Sequence, residues 1–211
     1  MTRKKKAVDY INELCSSELL EKRRLGKKLE KQYAKWTESL SLKDFSAFIE
    51  TIKKNKAEIG VAQFFGKFRA YAFEEYVYRL LRAKVHVKKP LQLFWGEKCR
   101  VWGENGTYYS MEFDVSIGRK VNGSVEPVVV VDAKVELDAA RLKTALASFA
   151  ILKKWNSEVK CFLVYATREI DSLLLEIAKN WMDGTFQLDF KNDETKAFIR
   201  RVKKSLSFHH T

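Results

Sequence analysis

The chain has 211 residues, 46% apolar and 32% charged, with a formal net charge of +13. It is long enough to bury a core and too apolar for a disordered chain, and no window approaches the roughly 18 consecutive apolar residues of a helical membrane span. The positive excess makes a field strong enough to draw in a polyanion.

Residues 7–57 read as helices. Within them LKDFSAFIETIKK (42–54) puts Leu42, Phe45, Phe48, Ile49 and Ile52 on one stripe at helical spacing. Residues 61–83 form a second strong helix, with Phe73, Val77, Leu80 and Leu81 along one side. Pro90 then breaks the pattern and the period shortens. LQLFW (91–95) is expected as a strand. CRVW (99–102), a turn at Glu104-Asn105-Gly106 and TYYSMEFDVSI (107–117) are expected as a hairpin. A turn at Asn122-Gly123 leads into VEPVVVVDAKVEL, read as a buried strand.

Helices and strands then alternate: helix 138–155, strand 159–167, helix 169–182, strand 185–190 and helix 192–206, with Asp171 and Asn192 near helix starts. The closing FHHT reads as a frayed tail. This order argues for an α/β protein, a mixed central sheet with helices on both faces. Residues 61–211 make up that core, and 1–60 an added N-terminal helical region.

Cys15, Cys99 and Cys161 are odd in number and far apart, with no CxxC, so no zinc ribbon or cysteine-ligated cluster is supported. No secretory signal is evident, and reducing cytoplasm is the expected compartment. The basic residues gather in clumps at 3–6, 22–28, 53–56, 84–89 and 200–204. Any single clump reads as solvated surface, but together they favour nucleic acid as partner. An acidic membrane surface fits less well, because no helix joins a basic face to a broad apolar one. No GxxxxGK[ST] motif and no defensible Ser/His/Asp order is present, which sets aside P-loop NTPases and triad hydrolases. Trp95, Trp102, Trp155 and Trp181 are read as core side chains.

VVVVDAKVEL (128–137) drives a valine run straight into Asp132 and Lys134. On a strand, Val128, Val130, Asp132 and Lys134 share one face. In TYYSMEFDVSI the alternation puts Asp114 on the polar face with Ser110, Glu112 and Ser116. If the two strands are neighbours, Asp114 lies beside Asp132. Two carboxylates about 4 Å apart repel by a few kcal/mol at an effective dielectric near 20. A divalent cation offsets that repulsion, and carboxylate oxygens are the hard ligands Mg²⁺ prefers. Lys134 can position a water or offset charge on a phosphorane.

Asp114, seventeen intervening residues and Asp132-Ala133-Lys134 resemble the PD-(D/E)XK nuclease superfamily. Gly66 followed by Phe73-Glu74-Glu75-Tyr76-Val77 and Leu80-Leu81 is similar to the pattern of that superfamily's first helix, with Glu74 at the acidic position. The resemblance implies a restriction-endonuclease-like core and Mg²⁺- or Mn²⁺-dependent cleavage of DNA. Asp114 and Asp132 would be metal ligands, Glu74 an outer ligand or water-positioning group, and Lys134 the catalytic lysine. Asp114 follows Phe113 where the family has proline, and the second acid is aspartate. The compact basic form is similar to archaeal Holliday-junction resolvases and to a small nuclease of archaeal spindle-shaped viruses. This implies branched DNA as substrate, a homodimer and, for a viral protein, host cytoplasm. Glu75 and Glu112 stay open as alternatives to Glu74 and Asp114. A non-catalytic nucleic-acid-binding protein on the same fold, and a restriction-type nuclease or RNase, stay open as alternative functions. The acid-x-Lys triplet also occurs at Glu158-Lys160 and Glu194-Lys196, and Arg141 and Lys143 follow the motif as candidate phosphate contacts.

Overall fold

A computed structural model describes residues 5–104 and 107–207. The turn expected around Asn105-Gly106, the tail from Phe208 and half of the 3–6 clump fall outside them. The chain divides into two compact units, the first ending at Leu80 and the second beginning at Leu81. The division falls inside a long helix, not before it.

The first unit contains α1 (Ala7–Cys15), α2 (Leu20–Ser39), α3 (Leu42–Lys54), the single turn α4 (Lys56–Ile59) and most of α5 (Ala62–Lys84). Ser41 caps α3, its hydroxyl accepting from the Asp44 N–H, which satisfies one of the donors left over at a helix start. The whole stripe expected on α3 is buried. So are Phe73, Val77 and Leu80 of α5. The rings of Phe45 and Tyr76 stack at 4.4 Å, and Trp36 meets Phe45 edge-on at 5.3 Å. Aromatic pairs of this kind add about 0.5–1.5 kcal/mol beyond their area.

The second unit is built on one seven-stranded sheet. Its strands are β1 (Gln92–Trp95), β2 (Lys98–Glu104), β3 (Thr107–Glu112), β4 (Val115–Val121), β5 (Ser124–Leu137), β6 (Lys160–Arg168) and β7 (Gly184–Gln187). β1, β4 and β5 pair antiparallel, whereas β5, β6 and β7 run parallel, so the sheet is mixed as expected. The helices are α6 (Ala139–Trp155), α7 (Ser172–Ala178) and α8 (Thr195–Ser207). Asp138 caps α6 and Asp171 caps α7. The helix expected over 169–182 is shorter than that, since a 3-10 turn replaces it at Lys179–Trp181.

Strand alternation decides which helix covers which face. Cys161, Leu163 and Tyr165 of β6 join Leu142, Phe149 and Leu175 in the α6 and α7 core. Phe162 points the other way and meets Phe198 of α8 at 6.4 Å. The β4–β5 hairpin turns at Asn122 and Gly123, both at positive φ, which the Asn-Gly pair accepts at little cost.

Two features depart from the expected strands. TYYSMEFDVSI is not one strand: it ends at Glu112, bends through Phe113-Asp114 and resumes as β4 at Val115. The alternation also does not run unbroken from Val128. Ile117 pairs with Val129 and Gly118 with Pro127, leaving Val128 as the extra residue of a β-bulge. Gly118 permits it, because a Cβ there would sit 2.2 Å from the Glu126 carbonyl oxygen. Pro127 suits a bulge because it has no N–H to lose from the ladder. The phase shift is visible in the core, where Val125 and Val130, five positions apart, pack in the same cluster.

Candidate active site

The valine run sets the site. Val129, Val130 and Val131 are all sealed from solvent, and β5 is held between β4 and β6 along this stretch. Asp132 pairs in register with Leu163, and Lys134 with Tyr165. Both therefore project on the face that α6 and α7 cover. Val115 pairs with Val131, so Asp114 falls one step further, at the level of Asp132. The bend at Phe113-Asp114 frees Asp114 from the ladder, and its Oδ2 accepts the Ala133 N–H at 2.8 Å.

Lys134 Nζ lies 3.6 Å from Asp114 Oδ2 and forms an ion pair with Asp132 Oδ1. The structure thus brings Asp114, Asp132 and Lys134 together. Asp132 is 7% exposed. Burial, and after it the charge of Asp114, raise its carboxyl from 3.8 to about 7, with Lys134 opposing the shift. Asp132 Oδ1 is shut off from solvent and lies against the Lys134 ammonium. Two mutually repelling carboxylates, one of them buried, suit a hard divalent cation. Among the described residues no group of three or more His, Cys, Asp or Glu forms a metal-binding cluster, so the two aspartates are the donor set the sheet supplies.

Glu74 and Glu75 belong to the first unit, and both are buried. Glu75 is only 1% exposed. Its Oε1 accepts from Tyr33 Oη at 2.7 Å and Arg79 Nε at 2.8 Å, and its Oε2 from the Ala7 N–H at 3.4 Å. Contacts to α1 and α2, which spacing along α5 alone does not reveal, account for that burial. Glu112 is exposed on β3, opposite Lys98.

The rival triplets have other partners. Lys160 lies 3.8 Å from Asp183, which also binds Lys153 and the Cys161 N–H. Glu194 accepts the Gln187 N–H at 2.6 Å. Arg141 is engaged with Asp138 at 2.9 Å and Glu136 at 4.0 Å, while Lys143 is exposed. Burial raises the thiols of Cys99 and Cys161 to about 12, so neither is a ready nucleophile. Trp102 and Trp181, expected in the core, are exposed. The fully buried tryptophan is Trp36.

No protein-family model matches the chain, and no curated protein matches it. Among solved structures it is similar to a chain of BbvCI, described as the native A2B2 tetramer at low resolution. The TM-score is 0.59 at 12% identity, over 97% of this chain and 98% of that one. The fold is restriction-endonuclease-like. The N-terminal helices, which the expected core had left unexplained, lie largely within the matched length. Among the described residues, no helix is long and apolar enough to cross a membrane.

Proposed function

We propose that the chain is a metal-dependent endodeoxyribonuclease. The observation that carries this reading is the convergence of Asp114, Asp132 and Lys134 at one point of a restriction-endonuclease-like sheet. Asp114 and Asp132 would hold Mg²⁺ or Mn²⁺, which when bound lowers the proton affinity of water and draws charge from a phosphate. The remaining roles fall to the chain itself. The Ala133 N–H fixes Asp114, so the carboxylate does not have to be ordered when substrate arrives. Lys134 holds positive charge where a pentavalent phosphorus gathers negative charge. In the reaction a water oxygen bonds to phosphorus and the bond to the departing sugar oxygen breaks. The proton released by the water balances the one gained by the leaving oxygen.

The net charge of +13 suits a nucleic-acid substrate. Selectivity for branched DNA, as in junction resolvases, is the narrower form of this proposal, and a substrate panel of four-way junctions, linear duplexes and RNA tests it. We also propose self-association, in keeping with the A2B2 assembly of BbvCI, since two copies can cut paired strands. Sizing by light scattering measures it directly.

A second reading has its own support. Lys134 already neutralises part of the acid pair, and no third ligand stands with the pair among the described residues. A nucleic-acid-binding protein with an idle site would look the same. Incubation of purified protein with DNA and Mg²⁺ decides between them. The nuclease makes nicks that Asp132→Asn and Lys134→Ala abolish, whereas the binding protein makes none.

A further inference from the structure

Two of the five basic clumps, KVHVKK at 84–89 and RRVKK at 200–204, are more than a hundred residues apart in the chain. In the second unit they meet. A cleft of about 550 Å³ is lined by Arg82, Lys84, His86, Lys88 and Lys203, with Ser207 at its edge, and no carboxylate is among its described lining residues. Ala83, Val85 and Leu206 supply apolar surface beside them. All five basic side chains belong to exposed residues.

Arg82 and Lys84 stand in the last turn of α5, where cations offset the helix dipole, and that alone would account for those two. It does not account for Lys88, beyond the helix, or for Lys203, which comes from α8. Four permanent cations around one opening repel one another, and nothing acidic in the lining relieves them. A single phosphate group brings a charge of at most about −2. The complement to this lining is therefore a chain of phosphates.

We infer that the cleft between the end of α5 and α8 is a binding site for the phosphodiester backbone of nucleic acid, separate from the carboxylate pair. This rests on the reading that the chain acts on nucleic acid, and it names the surface that grips it. The lysines anchor successive phosphates, His86 and Ser207 add hydrogen-bond donors, and the release of condensed counterions drives the contact.

The test is titration of a short fluorescent DNA duplex in chelator over a series of salt concentrations, so that no cutting intervenes. Lys88→Ala/Lys203→Ala is expected to flatten the slope of log affinity against log salt by about two. Lys27→Ala/Lys28→Ala, an exposed pair in the first unit, removes the same charge and is expected to change the slope less. Unchanged melting of both variants guards against misfolding. Equal flattening by the two pairs, or none by the cleft pair, overturns the inference. If wild type never nicks DNA but the cleft pair alone flattens the slope, the nuclease reading falls and the backbone site stands. If wild type nicks and the cleft pair changes nothing, the site falls and the nuclease reading stands.

Discussion

Asp114 reaches across from the start of β4 to the backbone of β5, where its Oδ2 accepts the Ala133 N–H at 2.8 Å. Ala133 is the residue between Asp132 and Lys134. One hydrogen bond therefore ties the upstream acid to the middle of the acid-x-lysine triplet and fixes all three groups with respect to each other. A charge-assisted bond of this type contributes about 1.5–3 kcal/mol, enough to hold the bend at Phe113-Asp114 against the lost ladder contacts.

Metal binding is expected to appear as thermal stabilisation. Adding Mg²⁺ or Mn²⁺ to wild type should raise Tm, by the equivalent of about 2.7 kcal/mol at a hundredfold excess over Kd. Asp114→Asn and Asp132→Asn should remove most of the shift. Calorimetry of the three proteins, with and without metal, checks this, and a shift of wild-type size in both variants would refute the ligand assignment.

Without metal, the Asp132 carboxyl titrates near 7 in the folded chain against 3.8 in the unfolded one. The folded state holds its proton more tightly, so this group's contribution is full below about pH 4 and is lost as pH rises through about 7. The loss is on the order of a few kcal/mol. Urea unfolding in chelator between pH 4 and 8 should show wild type weakening across that window and Asp132→Asn weakening less. Divalent metal should stabilise wild type increasingly over the same range, because it takes the place of the proton.

Glu75 of α5 should matter for stability and not for cleavage. Glu75→Gln disrupts a buried contact set with Arg79, Tyr33 and the Ala7 N–H, and should cost about 1–3 kcal/mol. Cleavage per folded molecule should persist. Parallel unfolding curves and nicking rates check this, and cleavage lost with unchanged melting would contradict it.

Gly118→Ala should be costly although it adds only a methyl group. The new Cβ would meet the Glu126 carbonyl oxygen at 2.2 Å and Pro127 Cα at 2.8 Å, both backbone atoms with little room to move. A destabilisation of about 2–4 kcal/mol is expected, with nicking lost in step. A melting curve equal to wild type would contradict the bulge geometry.

The acid pair and the lysine were legible because β-strand alternation is local, and Val130, Asp132 and Lys134 obey it. The break at Phe113-Asp114 was not legible, because TYYSMEFDVSI alternates through it without a glycine or proline. What ends the strand there is the Ala133 N–H, nineteen residues away. Gly118 and Pro127 were visible as letters, but their meaning depends on being opposite each other in a paired register. The burial of Glu75 was hidden for a similar reason, since Tyr33 and Ala7 come from other helices. Exposure of Trp102 and Trp181 shows the limit of reading large aromatics as core.

The extra residue Val128 sets the side of the sheet on which everything after it emerges. Taking out one residue between Pro127 and Val131 would turn Asp132 and Lys134 toward α8 and leave Ala133 facing Asp114's side. Relatives that keep the chemistry must then keep the spacing from Pro127 to Lys134 to the residue. An alignment that opens a gap inside the valine run would be misaligned, however well its flanks agree.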